Sequence, residues 1–218
     1  MPKVGFCLRS RGGVHRGLKP ISEDEEMTLY EAFLGDPDAR LIRPARDDTP
    51  SIEFKFDGGW RECRIWEGYF DASLILLRKV LQEEPLGHNL IFPALFNLRH
   101  ALEVALKWHI GHAGGVVPKH AGHNLNVLIE AFRQTAHGLD NETTHISDAM
   151  LNGISELSLI DPRSVTFRYS TEADGSPIRI SPQHWDLLHL YFMIDTLSLW
   201  FDGLSGQIER SWLEQYQA

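Results

Sequence analysis

The sequence predicts a mainly α protein, an up-and-down antiparallel bundle of four to five helices with small β-hairpins at its margin. Three stretches predict it. Between Trp66 and Glu84, Trp66, Tyr69, Phe70, Ser73, Leu77, Val80 and Leu81 recur at helical spacing, with Asp71, Arg78 and Lys79 opposite. Phe92 to Lys107, FPALFNLRHALEVALK, is apolar around most of its helical circumference. Leu187 to Phe201 is apolar nearly all the way round, more than one bundle core covers. That last helix is therefore expected to be buried on two sides, one of them in a homodimer.

Taken in order, residues 1–50 read as an N-terminal arm of low globularity and residues 51–218 as the helical bundle domain. Within the arm, Val4, Phe6 and Leu8 alternate briefly, and Met27 to Leu34 suits a short helix. Ile52, Phe54 and Phe56 alternate and run into Asp57-Gly58-Gly59, which predicts a hairpin over 51–65, although its return strand, Trp60 to Ile65, also reads as an early start of the next helix. Pro85 and Gly87 are expected to stop the Trp66 helix. The next runs from about Asn89 to His112, with Pro93 near its first turn and Gly114-Gly115 at its end. Leu125, Leu128, Ile129, Phe132 and Ala136 make a third helix capped by Asn124, and Ile146, Met150, Ile154 and Leu157 a fourth. Val165, Phe167 and Tyr169, then Asp174-Gly175, then Ile178 and Ile180 predict a second hairpin over 164–180. Ser181-Pro182 is read as the cap and start of the last helix.

A chain of 218 residues, 43% hydrophobic, can bury one substantial core. It has no apolar run of membrane-spanning length and no apolar signal core at its start, so a cytoplasmic protein without membrane association is expected. Cys7 and Cys63 lack metal spacing and are expected as free thiols. The net charge of -9 excludes a protein that coats nucleic acid non-specifically, though not one with a small basic cleft. Charge is uneven: residues 1–20 carry five basic side chains and no acid, and residues 21–40 carry seven acids against Arg40. Such a leader is ordinarily a solvated arm.

The candidate site begins on the Phe92–Lys107 helix. Arg99, Glu103, Lys107 and His100 fall within about one quarter of its surface. One reading is a solvated ladder of i, i+4 ion pairs. The other is a cleft wall that handles an anion such as phosphate. Four histidines flank the glycine loop, His109, His112, His120 and His123, but no cysteine or carboxylate accompanies them there. No metal and no cofactor is expected.

Arg99-His-Ala-Leu-Glu-Val-Ala-Leu-Lys107, Gly122-His-Asn-Leu125 and Phe167-Arg-Tyr169, in that order, resemble motifs of the HEPN superfamily over roughly residues 66–202. The resemblance implies a dimeric helical bundle linked to RNA. Many members are metal-independent ribonucleases of phage defence and toxin–antitoxin systems; others are non-catalytic partners of nucleotidyltransferases. It further implies that Arg99, Glu103, Lys107, His123, Arg168 and Tyr169 bind RNA or a nucleotide. Nuclease members carry Arg-x4–6-His, with histidine moving protons and arginine holding phosphate. Here the sequence departs: Arg168 meets Ala173, Asp174 and Gly175, and Arg99 meets Val104, Ala105 and Leu106. The spacing occurs instead at Arg9–His15 and Arg179–His184, and about two matches arise by chance at this composition. Arg179–His184, at the opening of the last helix, is the candidate catalytic pair.

Two functions are thus expected. One is an RNA- or nucleotide-binding effector with ribonuclease activity. The other is a non-catalytic module that dimerises and binds a partner or antitoxin protein. A zinc-dependent enzyme ranks behind both.

Overall fold

The computed structural model describes residues 22–34, 58–82, 84–136 and 144–217, with single positions at 42, 44, 52 and 54. These residues are mainly helical: α1 (Glu23–Leu34), α2 (Gly58–Gln82), α3 (Glu84–His112), α4 (Leu125–Ala136), α5 (Thr144–Ile160) and α6 (Leu187–Gln217). Contacts divide the chain into a unit spanning Arg9–Phe56 and a main unit that holds Asp57–Ala218. In the smaller unit, α1 opens on a capping box. The Glu25 amide donates to Ser22 Oγ (3.3 Å) and the Ser22 amide to Glu25 Oε2 (3.0 Å). No helix among the described residues is long and apolar enough to cross a membrane.

In the main unit, α2 lies against α3 along most of its length. The pairing is antiparallel, since Trp66 meets Trp108, Tyr69 meets His100, and Ser73 Oγ donates to Ala94 O. Its core stripe, Trp66, Phe70, Ser73, Leu77 and Val80, follows the sequence pattern, except that Tyr69 is half-buried and Leu81 exposed. Each large apolar side chain so buried stabilises by roughly 1.5–3 kcal/mol. Helix α3 also touches α4 and α6, so it is covered on several sides. Its buried residues, from Ala94 to Ile110, go around most of the helix.

Several expectations are corrected. Residues 58–65 belong to α2, so the return strand of the 51–65 hairpin does not form; the rest of that hairpin lies largely outside the described residues. Pro85 does not end α2's turn of chain but falls in the first turn of α3, where a missing N–H breaks no hydrogen bond. Pro93 consequently sits inside α3. Among the described residues there is no strand over 164–180. A tight reversal at Glu172–Ser176 is closed by one antiparallel bridge, Thr171 to Pro177. The last helix begins at Leu187, because Asp186 is its cap: Oδ1 accepts the His189 amide at 2.9 Å. Ser181-Pro182 is a cis peptide in the segment before it. Cys63 is buried and disulfide-bonded, not the free thiol expected.

Two helix ends follow local chemistry. Asn124 Oδ1 accepts the amides of Asn126 and Val127 at the start of α4. At the end of α3, Gly114 takes φ 81° and the Gly115 amide reaches Ile110 O at 2.8 Å, a Schellman ending. Gly115 is required there, since a Cβ would lie 2.3 Å from Thr135 Oγ1. Helix α6 buries Ile194, Leu197, Phe201, Leu204 and Ile208, while Leu188, Phe192 and Leu199 share an exposed stripe.

Candidate functional site

The Arg99–Glu103–Lys107 strip is neither a solvated ladder nor a cleft wall. The Arg99 side chain is 0% exposed and that of Glu103 3%. Arg99 Nε donates to Asp161 O (3.3 Å) and Nη2 to His123 O, while Nη1 stands 3.5 Å from Glu103 Oε2. Glu103 in turn accepts Lys107 Nζ at 2.7 Å and faces His123 Nδ1 at 3.0 Å. One buried ion pair thus fastens α3 to the loop before α4 and to the end of α5. Burial pushes the Glu103 carboxyl up, but hydrogen bonds and charge from Lys107 and His123 outweigh it and hold it below its ordinary value. Burial lowers Arg99, against the opposing pull of Asp161 and Glu103, and a guanidinium remains charged throughout. Neither Arg99 nor Glu103 has surface with which to meet a ligand. Lys107 (34% exposed) and His123 (63%) do reach solvent above them.

The Asp161 loop shapes the next part. Asp161 Oδ1 accepts the amides of Val165 (2.8 Å) and Thr166 (3.1 Å), and Ser164 takes φ 58°. This winds residues 165–169 into a turn, with the Tyr169 amide on Val165 O, so Arg168 stands on a turn and not at a strand end. Arg168 does not reach Glu103. Its Nε and Nη2 both donate to Ser164 O, and its guanidinium carbon lies 5.8 Å from the Phe96 ring centroid and 5.3 Å from that of Tyr169. Phe96 stacks on His100 (6.0 Å, 11° between planes), and Tyr69 meets His100 edge-on at 4.5 Å. Burial lowers the His100 pKa despite the Glu103 charge, so His100 presents a neutral ring near pH 7. Phe92, Phe96, His100 and Lys107 share one face of α3. With Arg168 and Tyr169 they form an aromatic and cationic strip, from which Phe92 and Tyr169 project well into solvent.

The strip runs at its Phe92 end into a cavity of about 790 Å³. Arg179 and His184 both line it, as does His88 from the start of α3. None of the three makes a hydrogen bond or ion pair with another described residue, in contrast to Arg99 and Arg168. Ile91, Leu95, Ile178 and Leu187 supply apolar wall. His184 belongs to the segment preceding α6, not to its first turn.

Among the four loop histidines, His109 is buried with Nδ1 2.7 Å from Ala105 O and Nε2 2.9 Å from Phe201 O. His123 is held by Glu103. No group of three or more metal-ligating side chains occurs among the described residues.

Sequence reasoning missed Tyr69, His88, Phe92 and Phe96. Phe92, Phe96 and His100 recur every four residues, a signal available in the sequence, but aromatic residues at that spacing ordinarily point to a core. No family model, curated protein or solved structure matches the chain.

Proposed function

We propose that the protein is an HEPN-type effector that binds single-stranded RNA or a nucleotide along the α3 strip. The observation that carries this is the run of π faces and cations from Lys107 and His123 through His100, Phe96, Arg168 and Tyr169 to Phe92, leading into the Arg179–His184 cavity. Bases stack on aromatic rings in single-strand binders, and each such contact contributes roughly 1–3 kcal/mol. The acidic net charge is compatible, because Glu103 is neutralised beneath the strip. Arg99 and Glu103 serve as its support, not as contacts.

In this reading the cavity cleaves RNA without metal. His184 takes the 2′-hydroxyl proton as O2′ bonds to phosphorus, and Arg179 stabilises the charge on the non-bridging oxygens. The P–O5′ bond breaks, and His88 protonates O5′. The products are a 2′,3′-cyclic phosphate and a 5′-hydroxyl.

A second reading has its own support. The exposed Leu188–Phe192–Leu199 stripe on α6 suits a homodimer or a partner protein, including an antitoxin, as in a non-catalytic HEPN module. Fluorescence anisotropy with labelled single-stranded RNA across a salt series, run beside gel cleavage with and without EDTA, tests both. Salt-dependent binding with cleavage insensitive to EDTA supports the effector reading. Absence of RNA binding, with self-association in light scattering, would hand the function to the partner-binding module.

A further inference from the structure

We propose that a second cavity, an open pocket lined by α3, α5, α6 and the segment before α6, binds a small organic cation with an apolar body. It measures about 370 Å³ and reaches the core, where Leu98, Leu102, Leu157, Ile194 and Leu197 wall it. Pockets of this size with mostly apolar walls and few polar groups suit small molecules. Its charged lining residues are Glu156 and Asp186, with no lysine or arginine among them. Glu156 and Asp186, on a rim that also holds His184 and His189, favour a cation over an anion.

Four features make the site specific. Trp185 lines it half-buried, and its Nε1–H is anchored on Pro182 O at 2.8 Å, so the ring is held as a face for a cation. Asp186 Oδ1 caps α6, which leaves the other carboxylate oxygen for a ligand. Glu156, exposed on α5, makes no hydrogen bond or ion pair with another described residue. Gly153 keeps the α5 wall open, and Met193 lies opposite it, an unbranched side chain suited to packing on an apolar guest. His184 and Trp185 line both cavities, so the segment before α6 is a common wall. A ligand here is distinct from RNA on the α3 strip.

The test is isothermal titration with 4-phenylbutylamine, 4-phenylbutanol and 4-phenylbutyrate, which share one carbon skeleton and differ in head-group charge. The amine is expected to bind saturably at one site, the alcohol about tenfold more weakly, and the carboxylate more weakly still. Glu156→Gln should bring the amine close to the alcohol. Gly153→Leu should abolish amine binding without loss of melting temperature. A Cβ there would meet Met193 Cε at 3.8 Å, an ordinary contact, and leucine is the better helix former. Tyr169→Ala, on the RNA strip, should leave amine binding unchanged. Carboxylate binding as tight as amine binding would overturn the proposal. So would wild-type affinity in Gly153→Leu, or no saturable binding of any of the three.

Discussion

Arg99, inside α3, and Arg168, on the turn that rests against Phe96 of α3, put the same guanidinium to opposite uses. Arg99 is wholly enclosed, donates to two backbone carbonyls and pairs with Glu103. Arg168 spends its donors on a single carbonyl, that of Ser164, and leaves its planar face against Phe96 and Tyr169 at the surface. The difference teaches where the strip on α3 divides. Its Arg99–Glu103 row is mechanical and its Phe96–His100 row is presented to solvent. An enclosed charge is held by the stability of the whole main unit, whereas an exposed stacked one is available to a ligand at small cost to folding.

The sharpest break in that comparison is Arg99→Met. It removes the wholly buried partner of Glu103, leaving only the partly exposed Lys107 and His123 beside it, and takes the donors from the Asp161 and His123 carbonyls, so a loss of about 3–5 kcal/mol in unfolding free energy is expected from urea titration. A loss below about 1 kcal/mol would show that Arg99 is not the clamp described here.

The next effect comes from His109, enclosed between α3 and α6. Burial lowers its pKa from 6.5 to about 4, against hydrogen bonds to Ala105 O and Phe201 O that act in the other direction. The unfolded chain therefore binds a proton that the folded chain refuses. This contribution to stability is full above pH 6.5 and is lost as pH falls toward 4, by about 3 kcal/mol in all. His100 and His112, also lowered by burial, act in the same sense. Urea midpoints at pH 7.5, 6 and 5 should fall steadily, and His109→Gln should flatten the trend.

At the surface, Tyr169→Ala should cost roughly 1–3 kcal/mol of single-stranded RNA affinity by anisotropy. Its melting temperature should stay close to wild type. Arg168→Ala should lower the salt slope of binding by about 0.7, if the guanidinium meets one phosphate. Equal losses of affinity and melting temperature in both variants would erase the distinction between the two rows. The smallest effect belongs to Lys107→Gln. Its pair with Glu103 is partly solvated, so a change of about 0.2–1 kcal/mol in stability is expected from thermal denaturation.

How much of this was legible in the sequence varied with the reach of the forces involved. The α2 stripe, the Asn124 cap and the Gly114 ending depend on neighbours within one or two turns, and the residue pattern carries them. The paired alternation at 165–169 and 178–180 looked like strands, yet Asp161 captures the Val165 and Thr166 amides and winds that backbone into a turn. Asp186 likewise takes the start of α6 from Ser181-Pro182, because its carboxylate reaches the His189 amide. Arg179 and His184 were legible as a spacing, but their common cavity and the presence of His88 in it were not.

The sequence by itself determined a mainly α chain, the centre of most helices, and the row of ionisable groups on α3. Periodicity and caps are local, so they survive in a one-dimensional record. Only the tertiary structure decided that Arg99 and Glu103 lie inside while Arg168 stacks outside on Phe96. The helical positions are the same whether a face is solvated or covered. Which of the two occurs depends on segments more than sixty residues away, the end of α5 and the turn that follows it, coming to rest on α3.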